Sequence, residues 1–371
     1  MRRLDPKGDP STAVRDGHYV EPVEALAPLI ASSLELRPTG SHLLIGAIGS
    51  GKTTQLRVLE AQLRAGTGVI AAFVDVGQFH DVSAVEPGVL FLAAATAVAA
   101  AVPGTQKSAD ARAHLRGRAW GWREYPDPDF ENYQEQYSEW VPGVLRPPGD
   151  PWGVTVAAAK HSLDLLLTDA AVDGARPEVT VLFDGLDRLH DLEAFERVVA
   201  EDVRALQACG IGVVIAASQR LLYGASTEIR RHFDRVHRIG AVDPLFLRRV
   251  LRSRVDDELL SDPSADRVAE WSGGVLRDLI AIAQGAGEDA YVRGAEFIGV
   301  EHVDAAADRF GRALLLGVET QARATLENAL TNDSFAIGSN SDVQLLVEDR
   351  LIDLGGRYVV HPTLVPLLHA A

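Results

Sequence analysis

The run Gly46-Ala47-Ile48-Gly49-Ser50-Gly51-Lys52-Thr53-Thr54 gathers the residue types that phosphate binding requires, at the spacing it requires. It fits G-x-x-x-x-G-K-[ST], the phosphate-binding P-loop. Gly46, Gly49 and Gly51 let successive backbone N–H groups, that of Ser50 among them, turn inward on phosphate oxygens. A helix opening at Lys52-Thr53-Thr54 would add its positive end. Lys52 is placed to reach the β- and γ-phosphates, and the Thr53 hydroxyl to sit on Mg²⁺. Lysine is rare here, four against 32 arginines, so finding one in this loop is informative. A second run, Val179-Thr180-Val181-Leu182-Phe183, ends in Asp184-Gly185-Leu186-Asp187-Arg188. Asp184 is the expected Mg²⁺ carboxylate, holding the ion directly or through water. Asp187 is placed to orient or activate an attacking water, or else to cap a helix beginning near Arg188.

These groups need a particular frame. His42 to Ile45 reads as a buried strand feeding the loop, and 53–65 as the helix leaving it. Further strands are expected at 69–76, at Val179–Phe183 and at Gly212–Ala217, and a helix at 23–36. Continuous apolar, β-branched runs suit a parallel sheet buried on both faces, with ligands gathering at the strand carboxyl ends. The fold class is therefore α/β, a P-loop NTPase core over residues 1–243. Residues 78–178 exceed what one βα unit needs and read as an insertion, with helices at 88–102 and near 153–171. Between them lie Trp120, Trp122, Trp140 and Trp152 with Tyr125, Phe130, Tyr133 and Tyr137. The stretch 118–140 carries two basic and six acidic residues, which favours a packed or partner-docking unit over a base-stacking surface. Residues 244–312 read as a helical lid. The tail, 313–371, reads as a helix (313–331), a second helix near 342–350 and a hairpin turned at Gly355-Gly356.

The apolar run closed by Asp-Gly-Leu-Asp-Arg resembles the P-loop ATPases called STAND, signal-transduction ATPases with numerous domains, and is similar to the KAP P-loop family. The resemblance implies ATP with Mg²⁺ as ligands. Gly185 stands where an ordinary AAA-type ATPase carries the glutamate base, which implies slow hydrolysis. It also implies that Ser218, with Arg220 as competitor, reads the γ-phosphate at the sensor 1 position. Trp271-Ser272-Gly273-Gly274-Val275-Leu276-Arg277 resembles the sensor 2 segment, where a glycine pair opens a lid helix whose arginine, here Arg277, contacts the nucleotide. Tyr19 and Val20 fall where relatives pack adenine. Arg230, Arg231 and Arg235 compete for the role of an arginine reaching a neighbouring subunit's nucleotide, against the alternative of a solvated helix end. The tail resembles a winged-helix domain, and bacterial proteins of this build often serve in defence or signalling.

Composition narrows the partners. Net charge is −16, which argues against a broad, salt-driven nucleic-acid surface. The tail has three arginines, no lysine and seven acids, so a protein contact or autoinhibitory role suits it better than DNA. The arginines at 248, 249, 252 and 254 suit a solvated helix face. The longest apolar run, Val89 to Val102, is too short for a bilayer, and a single cysteine, Cys209, suits packing in a reducing cytoplasm. Three functions follow: a nucleotide-controlled ATPase switch, a ring-forming AAA-type remodeller, and a non-hydrolysing ATP-bound scaffold. Self-assembly or a protein partner is expected in each.

Overall fold

The computed structural model describes residues 4–5, 10–66, 68–119, 152–189, 191–223 and 227–369. Five parallel strands form the central sheet: β1 (Ser41–Gly46), β2 (Ile70–Asp75), β3 (Val179–Asp184), β4 (Ile211–Ser218) and β5 (Arg235–Ile239). Their order is β2-β3-β4-β1-β5. The strand bearing Ser218 thus lies between the P-loop strand and the acidic strand. Register sets Asp75 beside Asp184 and Gly46 beside both Ser218 and Ile239. All five positions are last residues of their strands, so the sheet itself delivers them to one edge.

Alternation along the strands makes two cores. Leu43, Ile45, Val74, Val181, Phe183, Val213 and Ile215 face one layer, which includes the helices Val89–Ala101 and Leu192–Ala208. Leu44, Ala71, Leu182, Val214 and Ala216 face the other, against the helices Leu26–Leu36 and Lys52–Gly66. The helix Val89–Ala101 has no polar stripe, and burial nearly all round explains why. It therefore belongs to the main core, together with Leu163, Leu166 and Leu167 of the helix Trp152–Asp169. The expected aromatic unit, 120–151, lies outside the described residues.

Four helices, Pro244–Arg252, Asp262–Trp271, Leu276–Val292 and Val300–Leu315, pack on one another around a core of their own, in the segment expected to be the lid. Asp243 caps the first by accepting from Phe246 N (3.0 Å), with Pro244 in the first turn. Two of its three arginines are neutralised: Arg248 pairs with Asp266 (3.2 Å) and Arg252 with Asp257 (2.9 Å) and Asp262 (2.6 Å). The expected helix 313–331 is broken, because Gly317 at φ 72° interrupts it between Leu315 and Thr320. Helices Thr320–Thr331 and Asn340–Val347 then precede an antiparallel hairpin, β6 (Leu351–Asp353) and β7 (Tyr358–Val360), turned through Gly355 and Gly356. Among the described residues no helix is long and apolar enough to cross a membrane.

Candidate nucleotide-binding site

The P-loop leaves β1 and enters the helix Lys52–Gly66, with Gly49 and Gly51 at φ 85° and 97°. Side chains are excluded there for two reasons. A Cβ on Gly46 would lie 2.6 Å from Ser50 Oγ, and one on Gly49 would collide with Arg277. Lys52 is 4% exposed, and its ammonium donates to Gly46 O (3.0 Å) and Ala47 O (2.7 Å) and pairs with Asp187 Oδ2 (3.2 Å). The cation is thus held against the loop, ready to exchange these acceptors for phosphate oxygens.

Asp184 ends β3, and its carboxylate interacts with the Thr53 hydroxyl. Burial is the largest cause raising its pKa; the Thr53 bond opposes this, and the neighbouring Asp187 and Asp75 add to it. A hydroxyl and a carboxylate in contact, under the repulsion of two more carboxylates, is a donor set that a divalent cation would relieve, so these residues fit Mg²⁺. Among the described residues no group of three or more His, Cys, Asp or Glu could hold a metal alone. Thr53 and Asp184 would therefore supply the protein's share and a phosphate the rest.

Asp187 sits in a single turn, Leu186–Arg188, and the next helix is capped instead by Asp191, which accepts from Glu193 N (3.0 Å) and Ala194 N (3.1 Å). The capping alternative for Asp187 is thereby replaced by the Lys52 pairing. Ser218 caps the turn that follows its strand, accepting from Arg220 N (3.2 Å), while register keeps it beside Gly46. Arg220 turns to Gln344 of the tail (3.3 Å).

A cavity of about 1020 Å³ runs from the P-loop to the lid. Gly49 through Gln55, Asp187 and Arg277 line its phosphate end; Tyr19, Val20, Phe246, Leu276 and Ile280 line its apolar end. Thr54 and both proposed base contacts thus open onto it. The expected helix start at Gly273 is corrected: the glycine pair, at φ 59° and 94°, turns the chain after Trp271, and the helix begins at Leu276. Arg277 is consequently in the first turn, its amide donating to Gly49 O (3.3 Å). Arg230, Arg231 and Arg235 are exposed and do not line this cavity.

Five further residues lie at or beside the site, four of them without any sequence cue. Arg238 lines the cavity from β5 and pairs with Asp353 of the tail. Gln55 holds the N-terminal segment, accepting from Ala27 N (3.2 Å) and donating to Tyr19 Oη (3.4 Å). Arg254 donates to His18 O (3.2 Å), tying that segment to the lid. Asp75 flanks Asp184, and Asp349 of the tail borders the P-loop. Only Asp75 had a legible cue, an acid closing an apolar strand.

Strand order, the P-loop and the strand-end carboxylate together define the fold. The fold is that of a P-loop NTPase. No family model matches the sequence. A protein named ORC1-type DNA replication protein 4, from Halobacterium salinarum, is 30% identical over 188 residues, 47% of this chain and 45% of that protein. The match thus spans less than half of that relative's length. Among solved structures, the Thermotoga maritima RuvB Holliday junction branch migration motor aligns with a TM-score of 0.44 at 15% identity, covering 93% of this chain and 92% of its own. Cdc6p from Pyrobaculum aerophilum aligns at 0.48 and 13% identity, covering 100% and 98%. Drosophila ORC bound to DNA aligns at 0.49 and 14%, covering 94% and 76%. Neither the site nor these relatives bear on the defence role that the resemblance implied.

Proposed function

We propose that the protein is a Mg²⁺-dependent ATPase in which ATP binds between sheet and lid and its turnover resets lid and tail. The observation that carries this is the convergence of Lys52, Asp187, Thr53 and Asp184 beneath Arg277, at one end of a cavity whose other end is apolar. Lys52 would neutralise terminal phosphates and Thr53 with Asp184 would hold the ion. Asp187 would orient the attacking water. Gly185 supports slow turnover: at φ 87°, with a Cβ 3.2 Å from Asp75 Oδ1, it is a poor place for the usual glutamate. The tail is tied to each nucleotide-facing element. Gln219, after β4, donates to Leu346 O (2.7 Å), Arg238 of β5 pairs with Asp353, and Asp278 of the lid faces His361 (3.3 Å). Such wiring suits a switch.

In titration calorimetry, Lys52→Ala is expected to abolish Mg-nucleotide binding, and unchanged affinity in a folded variant would overturn the site. Asp184→Ala is expected to remove chiefly the Mg²⁺-dependent part. Asp187→Ala is expected to leave binding intact and slow turnover. A second reading, an AAA-type assembly, draws on Arg230, which is exposed at the end of the short helix Thr227–Arg231 and away from this chain's own cavity. A mass unchanged by ATP would exclude it. DNA association, suggested by the names of the relatives, belongs with that assembly reading.

A further inference from the structure

Three consecutive residues, His18, Tyr19 and Val20, line the cavity away from its phosphate end, and each is held by a different neighbour. Val20 packs against the core of the helices that follow Pro244. Tyr19 packs against the sheet-side core, where its hydroxyl accepts from Gln55. His18 is clamped through backbone and side chain together. Its Nδ1 lies 2.6 Å from Ser253 O, while Ser253 Oγ (3.1 Å) and Arg254 Nη1 (3.2 Å) both donate to His18 O.

The clamp decides what the imidazole can do. A carbonyl oxygen only accepts, so Nδ1 carries the proton in the bond to Ser253 O. In the neutral ring Nε2 is then an acceptor with its lone pair free. Among the described residues no hydrogen bond reaches Nε2, and it is not one of the sealed, unpartnered atoms of the interior. Other polar side chains along this part of the cavity are engaged elsewhere. Asp243 caps a helix, Gln55 holds Ala27 and Tyr19, and Asp16 pairs with Arg15. Phe246, Leu276 and Ile280 offer apolar burial to any base and discriminate weakly between bases.

We propose that His18 is the base-selecting residue of the site: its fixed Nε2 accepts a hydrogen bond from an exocyclic amine, so that the cavity prefers a 6-aminopurine nucleotide. This rests on the Mg-nucleotide reading above and assigns the end of the cavity that the phosphates do not use. A 6-oxopurine would set its own acceptor oxygen against the Nε2 lone pair, and a purine with hydrogen at that position would leave Nε2 unpaired. Because Ser253 fixes the tautomer, base reading and the contact between the N-terminal segment and the helix Pro244–Arg252 are one arrangement.

The test is calorimetry of the full chain with Mg·ADP and with the Mg-bound diphosphate of purine riboside, which differs from ADP only in lacking the 6-amino group. Wild-type protein is expected to favour ADP about fivefold or more, the scale of one hydrogen bond lost with its partner left unpaired. This comparison needs no variant, and equal affinity for the two ligands would overturn the proposal. His18→Asn keeps an amide nitrogen able to donate to Ser253 O and removes the acceptor at the Nε2 position. It is expected to bind the two ligands within about twofold of each other, with the purine riboside diphosphate little changed from wild type. His18→Gln, whose longer side chain brings an amide oxygen toward the place of Nε2, is expected to restore part of the preference. Equal weakening of both ligands in His18→Asn, or an undiminished preference for ADP, would overturn the proposal and leave His18 a clamp between two segments. Affinity for both ligands retained in Lys52→Ala would instead overturn the site reading, a result separable from the His18 variants.

Discussion

Arg277 touches the phosphate loop twice, through its amide to Gly49 O (3.3 Å) and through a side chain stacked over the space that Gly49 leaves free. Its guanidinium opens onto the phosphate end of the cavity and is also within the electrostatic reach of Asp349. One charge-assisted contact to a terminal phosphate contributes about 1.5–3 kcal/mol. Arg277→Ala is therefore expected to weaken ATP roughly tenfold to a hundredfold in a binding titration, with ADP nearly unaffected. Equal losses for both nucleotides would reduce Arg277 to a packing residue.

Elements decide which of these residues could be read in advance. Local signals were sufficient wherever one strand–turn–helix carried the chemistry: Lys52, Thr53 and Asp184 stand where the P-loop and the strand ending at Phe183-Asp184 placed them. They failed where register or docking supplies the partner. Nothing near Arg238 announces Asp353, and nothing near Asp349 announces the P-loop, because hairpin and sheet meet only in the folded chain. The Ala-rich helix Val89–Ala101 was legible as a helix but not in its surroundings: its lack of periodicity marks burial on all sides, and its N-terminus is closed from far away. Asp202 accepts from Gly88 N (2.6 Å), Leu90 N (2.9 Å) and Phe91 N (3.3 Å), while burial pushes its pKa up to about 7. Asp202→Asn is expected to cost about 1–3 kcal/mol in urea unfolding, since an amide cannot accept all three donors. The folded protein binds the proton below about pH 7 and the unfolded chain only below about 4, so wild-type stability gains as pH falls between them. The deficit of the variant should be larger at pH 5 than at pH 8, and an equal deficit would show that Asp202 does not titrate there.

At the scale of the whole molecule, sheet, lid and tail share one junction around the P-loop. Gly273 and Gly274 make it possible. A Cβ on Gly273 would come within 2.8 Å of Pro362 Cδ, and one on Gly274 within 2.7 Å of the Ala241 Cβ. The strand order carries one more consequence, for how the protein comes into being on the ribosome. β1 delivers the P-loop early in synthesis, yet its hydrogen-bonding neighbours are β4 and β5, which end at Ser218 and Ile239. Between them the ribosome must make β2, the long crossover and β3. A nascent chain halted before Arg235 thus carries every residue of the loop with one side of its strand unpaired, and Lys52 has no finished sheet to be held against. On the nucleotide-binding reading proposed above, ligand would find its site only after this non-local pairing, which is slow to form.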